Sequence, residues 1–237
     1  MNDRTFERAR RSEDKLRREH DILAAASLLA TERGVRAVTL TDIAAAVGMH
    51  KSSMLRYFET REEIFLRLAA EGWREWGSAA RAALATSGGA RNEQVAATLA
   101  TTLVARPLFC DLLAQTPLNL ERGVSFEAVR TFKIVAIAET DAVATTIAGA
   151  SGLEPGLARD VVATATALAG AFWQMAAPGT ALRRFYETDP DLSHAVVDVE
   201  PRLTGILTAL LHGYARPSTS ADGGLDLTFR DARSSSE

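Results

Sequence analysis

Between Lys51 and Tyr57 the chain reads KSSMLRY, with two cations, two hydroxyls and a phenol and no Asp or Glu among them. These groups donate hydrogen bonds to phosphate oxygens and base edges, and a carboxylate in their midst would repel a phosphate backbone. The chemistry they suit is polyanion binding. Lys51 and Ser52 open the segment and fall nearest to base edges, while Arg56 suits a base or a phosphate. Ser53, Tyr57, Arg61 and Thr39 suit phosphate contacts, which place a protein on DNA without reading its sequence. The competing reading is a solvated helix face.

Other chemistries find little support. Cys110 is the one cysteine, so no internal disulfide forms, and "PLFCDLL" reads as core. His20, His50, His194 and His212 are scattered without metal-ligand spacing, so no metal is expected. His50 suits a surface position near a phosphate, or a switch near neutral pH. No nucleophile elbow, phosphate loop or paired-carboxylate arrangement occurs. The expectation is a binding protein that is not an enzyme and carries no cofactor.

Composition permits this. Hydrophobic residues make up 47% and charged residues 24%, ordinary values for a soluble globular chain. The first 67 residues hold 13 Lys+Arg against 11 Asp+Glu (net +2), and the remainder 14 against 19 (net −5). A polyanion face is therefore allowed at the front and disfavoured elsewhere. "MNDRTFERARRSEDK" lacks the apolar centre of a signal peptide. No uninterrupted apolar run approaches the roughly 18 residues of a membrane span. A cytoplasmic protein with no membrane partner is expected.

The elements that must hold the basic segment are helices throughout. The first is expected over about 15–32, with Ile22, Ala25, Ala26 and Leu29 inward and Gly34 ending it. Thr39 with Asp42 has capping-box spacing and opens a short second helix, with Ile43 and Val47 inward and Gly48 breaking it. A third helix, about 51–58, buries Met54 and Phe58. Thr60 with Glu63 repeats the capping spacing and starts a long fourth helix with Ile64, Leu68, Trp73, Trp76, Ala80 and Leu84 along one stripe. "TSGGARNE" reads as a linker. Further helices are expected near 92–104, 107–115, 125–150, 155–177 and 200–215, with a loop over 178–198 and a disordered tail from 216.

Two short helices joined by a glycine-containing turn are the pattern of a helix-turn-helix. The segment "GVRAVTLTDIAAAVGMHKSSMLRYFETREEIF" (34–65) resembles the DNA-binding domain of the TetR family of bacterial transcriptional regulators. The matching positions are Thr39, Ile43-Ala44, Gly48, Lys51, Ser53, Phe58, Glu62-Glu63 and Ile64. Three positions depart from the family's usual residues: His50 where serine commonly caps the recognition helix, Leu55 where a phosphate-binding tyrosine is common, and Arg61 in place of lysine. Phosphate contact therefore shifts toward Ser53, Tyr57 and Arg61.

The resemblance implies an all-α fold of about nine helices. It implies a flexible arm over 1–14, a DNA-binding domain over 15–62, a ligand-binding and dimerisation domain over 63–215, and a tail over 216–237. The arm, with Arg4, Arg8, Arg10, Arg11, Lys15, Arg17 and Arg18, either reaches a minor groove or forms a solvated helix. The resemblance implies three partners: a palindromic double-stranded DNA operator, a small, largely apolar effector, and a second copy of the chain. Candidates for the effector site are Trp73, Trp76, Phe109, Phe132, Lys133, Glu139, Thr140 and Trp173, each of which is otherwise core or solvated surface. The dimer interface is expected from the last two helices, with Ala165, Ala169, Phe172, Leu203, Leu207, Leu210 and Tyr214. The whole implies a homodimeric repressor released by its effector. The alternative is a helical ligand- or partner-binding protein without a direct transcriptional role.

Overall fold

The structure, a computed structural model, describes residues 3–85, 91–176 and 181–215. Among these residues there are ten α-helices and no strand: α1 (Asp3–Arg33), α2 (Leu40–Ala46), α3 (Lys51–Met54), α4 (Arg61–Ala85), α5 (Asn92–Val104), α6 (Pro107–Gln115), α7 (Phe126–Ser151), α8 (Pro155–Ala176), α9 (Ala181–Thr188) and α10 (Val199–Ala215). Most of the linker (86–90) and the tail from 216 lie outside the described residues.

The N-terminal helix is longer than its apolar stripe suggested. It begins at Asp3, so residues 3–14 continue α1 and do not form a separate arm. No glycine or proline interrupts Asp3–Arg33, and acids and bases recur one turn apart: Lys15–Glu19 at 3.7 Å, Arg17–Asp14 at 3.4 Å and Arg18–Asp21 at 3.7 Å. Such exposed pairs contribute about 0.2–0.5 kcal/mol each. Burial of Ile22, Leu23, Ala26 and Ala30 anchors the C-terminal half.

The expected loop over 178–198 is the second difference. It contains α9 and a 3-10 segment, Pro190–Ala195. Arg183 on α9 turns inward, donating to the Val197 carbonyl at 3.3 Å and pairing with Asp198 at 3.3 Å and Glu187 at 2.7 Å. Leu182 and Phe185 are left half-exposed.

The body is built around α4 and α7, which pack along each other, with α8 against α6 and α7 and α10 against α5 and α8. The contact between α6 and α8 is close: a Cβ at Gly170 would lie 2.9 Å from the Ala114 backbone nitrogen. An 18-residue window of α7 has the length and mean hydropathy, 1.2, of a membrane span, where counting uninterrupted apolar residues found none. The window passes because its few charges are spaced among alanines and threonines. Phe132, Ala136, Val143, Ala144 and Ile147 on this helix are buried in the protein core.

Candidate nucleic-acid interface

The local sequence explains why α2 and α3 stand as they do. The Thr39 hydroxyl accepts the Asp42 N–H at 3.2 Å and donates to the Asp42 carboxylate at 2.6 Å, while that carboxylate accepts the Thr39 N–H at 2.8 Å. This capping box closes the start of α2. The Thr39 bonds, first the hydroxyl and then the amide, hold the Asp42 carboxyl below the usual carboxylate range, and Arg33 at 3.6 Å adds to the effect.

At the other end Gly48 takes φ 64°. Its N–H bonds the Ala45 carbonyl at 3.1 Å, and the Met49 N–H bonds the Ala44 carbonyl at 2.8 Å. These two bonds form a Schellman motif, and the left-handed residue at its centre favours glycine. The chain thus reverses within one residue and delivers His50 to the start of α3. His50 makes no side-chain cap bond; its carbonyl alone accepts the Ser53 N–H (2.9 Å) and the Met54 N–H (3.3 Å).

The regular part of α3 is shorter than the expected 51–58. After Met54 three-residue bonds enter the ladder, Arg56 N–H to Ser53 O (3.3 Å) and Tyr57 N–H to Met54 O (2.9 Å), while the Phe58 N–H keeps a four-residue bond to Met54 O (3.1 Å). Met54 and Phe58 nonetheless reach the core, both at 1% exposure or less. Burial of each contributes roughly 1.5–3 kcal/mol, enough to hold a short helix that has no side-chain cap.

With that face buried, Lys51, Ser52, Leu55 and Arg56 are exposed, and Ser53 and Tyr57 are half-buried. Thr39 is exposed, although its hydroxyl already serves the α2 cap. Arg61 departs from the expected phosphate contact. Its guanidinium turns inward, donating to the Val35 and Val38 carbonyls, pairing with Glu62 at 3.0 Å and lying 4.7 Å over the Phe65 ring. Those carbonyls belong to the α1–α2 connection, where Val35 O also accepts the Val38 N–H at 3.4 Å, so Arg61 acts as an internal brace. Sequence spacing gave no sign of this. Lys15, Arg17 and Arg18 of α1 line a groove with Tyr57, together with Asp14 and Asp21. The mixed-charge face of α1 therefore borders the α3 segment at Tyr57, which a linear reading of the N-terminus left open.

The residues expected around an effector do not converge. Trp73, Trp76 and Phe109 form one buried cluster, with ring centroids 5.6 Å apart for Trp73 with Trp76 and with Phe109, and 6.1 Å for Trp76 with Phe109. The Trp76 indole donates to the Thr102 hydroxyl at 3.1 Å. Glu139 pairs with Arg81 at 2.5 Å, Lys133 with Glu121 at 2.7 Å, and the Thr140 hydroxyl bonds the Ala136 carbonyl at 2.8 Å. Phe132 faces a cleft of about 260 Å³ between α4 and α7, whose charged lining mixes Arg67 and Arg74 with Glu59, Glu63 and Glu127. Trp173 lines a different depression, of about 420 Å³, beside Val104 and Pro201. Aromatic identity is shared by core and pocket, so sequence alone could not separate them.

Four of the expected dimer residues, Ala165, Ala169, Leu203 and Leu207, are fully buried within their own chain. They fill the seams among α5, α6, α8 and α10 and cannot also meet a second copy. Phe172, Leu210 and Tyr214 are half-buried and pack on the same core. The exposed faces of the two helices carry small residues instead: Ala163, Ala167 and Ala171 on α8, and Gly205, Ala209 and Gly213 on α10.

Family comparison agrees with this architecture in both halves. Residues 22–68 match the description "Bacterial regulatory proteins, tetR family", and residues 70–217 match "Tetracyclin repressor-like, C-terminal domain". The chain belongs to the TetR family. It is a DNA-binding transcriptional regulator with an all-helical fold. A comparison with curated protein sequences gave no match.

Among solved structures, the TetR-family repressor FadR of Thermus thermophilus, in complex with lauroyl-CoA, is similar at a TM-score of 0.55 and 19% identity, over 87% of this chain and 100% of that one. FadR of Bacillus halodurans, a fatty acid degradation regulator, is similar at 0.54 and 16%, over 84% and 97%. The TetR-family regulator PfmR, also of Thermus thermophilus, gives 0.50 and 18%, over 82% and 99%. At these identities the likeness concerns the fold. In this TetR-family frame α2 and α3 are the helix-turn-helix, and α4 runs from the DNA-binding half into the C-terminal half.

Proposed function

We propose that the protein is a homodimeric repressor that acts in the cytoplasm and binds a palindromic operator through α3 and the turn that follows it. The observation that carries the reading is the acid-free exposed face, Lys51, Ser52 and Arg56, fixed by the buried Met54 and Phe58. Lys51 and Ser52 read base edges in a major groove. Arg56, Tyr57, Ser53 and the cations of α1 hold phosphates.

Dimerisation runs through the outer faces of α8 and α10. Ala163, Ala167 and Ala171, with Gly205, Ala209 and Gly213, repeat every fourth residue and let two helix pairs approach closely. The dimer sets two α3 segments about 34–36 Å apart, one turn of DNA. A small, largely apolar effector that binds better to a different spacing lowers operator affinity, and the coupling is reciprocal. The lauroyl-CoA held by the Thermus FadR supports an effector of this type, and the cleft between α4 and α7, with Leu66, Phe132 and Val135 in its lining, suits an apolar body, while Arg67 and Arg74 are offset there by Glu59, Glu63 and Glu127.

Selection of bound duplexes from a random pool tests the reading. The expected product is an inverted repeat with half-sites about one helical turn apart. Failure to enrich any repeat over several rounds would overturn it.

A further inference from the structure

The α1–α2 connection is held from two directions. The Val35 carbonyl accepts from Arg61 of α4, and the Val35 N–H donates to the Asp111 carboxylate of α6 at 2.7 Å. The other Asp111 oxygen accepts the Gln174 side-chain amide of α8, also at 2.7 Å. Val35 is 1% exposed and Asp111 8%. One nearly buried carboxylate thus joins the DNA-binding half, within residues 22–68, to two helices of the C-terminal half, within residues 70–217.

The Val35 amide is the first N–H of a 3-10 turn, whereas an N-cap side chain at position 34 would serve the second or third N–H. Position 34 is glycine, which has no side chain, and the Val35 N–H takes its acceptor from 76 residues away. Burying a carboxylate is costly unless charge-assisted hydrogen bonds satisfy it. Both Asp111 oxygens are satisfied, one by each side of the boundary.

The mechanical consequence follows from α4. That helix begins in the DNA-binding half and continues into the body, so it is one attachment. Steric contacts such as Gly123 against the Glu62 side chain limit pivoting about that rod, and a directional attachment fixes the angle. The remaining contact of α6 with α1, where Leu108 and Leu112 face Ser27 and Thr31 across a depression of about 240 Å³, has no comparable direction. Gly170, one turn before Gln174, brings α8 against the α6 backbone, so α6 and α8 move together.

We infer that Asp111 is a positioning residue: it sets the angle of the helix-turn-helix relative to α8, and through α8 the distance between the two α3 segments of the dimer. The inference rests on the dimeric reading above. An operator's half-site spacing is what such a residue controls, and loss of packing alone would not change it.

The test uses the full chain as wild type, Asp111→Ala, Asp111→Asn and Gln174→Ala. The probes are the palindromic duplex selected by the wild type and derivatives with one base pair added or removed between half-sites. The wild type should favour its own spacing by about tenfold or more, and Asp111→Ala should compress that ratio to within about threefold, with helicity and binding to a single half-site unchanged. Asp111→Asn keeps an acceptor for Val35 and a group that can bond Gln174, and should retain the wild-type ratio. A folded Asp111→Ala with the wild-type ratio would overturn the inference and leave the dimeric reading intact. If Asp111→Ala does not fold, Gln174→Ala decides on the same ratio: compression supports the inference and no change overturns it. A wild type that binds no selected duplex, or is indifferent to spacing, overturns both.

Discussion

Arg61 spends its charge on the protein. Two backbone carbonyls, Glu62 and the Phe65 ring surround its guanidinium, whereas Lys51 and Arg56 are exposed and stand on the acid-free face. The two kinds of cation should therefore respond differently to removal. Arg61→Ala should lower the melting temperature, because it removes the side-chain donor to the Val38 carbonyl and the second donor to the Val35 carbonyl, and should leave the salt dependence of operator binding near wild type. A normal melting temperature with a flatter salt dependence would return Arg61 to the phosphate-contacting set. Residue types were legible in the sequence, and Met54 and Phe58 declared themselves as buried by their spacing. Arg61 did not, because its acceptors lie 23 and 26 residues upstream and are brought to it only by the packing of α1 against α4. Cys110, read as core, is fully buried, and burial first and Asp111 second push its thiol up to about 12, which makes it inert.

At the scale of elements, the turn between α2 and α3 carries the strongest local requirement. Gly48 sits at φ 64° with open space where a Cβ would go, so a substitution there meets backbone strain without collision. Gly48→Ala should destabilise the protein by about 1–2 kcal/mol, measured by denaturant unfolding. An unchanged midpoint would show that the Schellman geometry is dispensable. The capping box of α2, the break at Gly48 and the boundaries of α5 to α8 were all readable, because caps, prolines and glycines act within one turn. The end of α3 was not, since the tightening after Met54 answers to the placement of Phe58 in the core. Helix α9 was missed for another reason: it is eight residues long, and its apolar Leu182 and Phe185 are half-exposed while Arg183 is the side turned inward.

At the scale of the molecule, composition and periodicity identify an apolar stripe but not what covers it. The stripes of α8 and α10 looked like an interface between copies, yet Ala165, Ala169, Leu203 and Leu207 fill the core of their own chain, and the small exposed residues are what a partner would meet. The aromatic set expected around an effector divided in the same way, between the Trp73–Trp76–Phe109 cluster and separate clefts. What the sequence did carry to this scale is the division of charge, net +2 in the first 67 residues against −5 in the rest, which allows a polyanion-binding face at the front of the chain and disfavours one elsewhere. The central claim is that this end holds DNA through the face bearing Lys51 and Arg56. The most direct measurement is a fluorescence-anisotropy titration of the selected palindromic duplex at several salt concentrations, with wild type and the Lys51→Ala/Arg56→Ala double variant. Wild-type affinity should fall steeply with salt. The double variant should bind at least about tenfold more weakly and lose about one unit of slope for each phosphate contact removed, with its circular dichroism unchanged. Equal affinity and equal slope in the folded double variant would contradict the account.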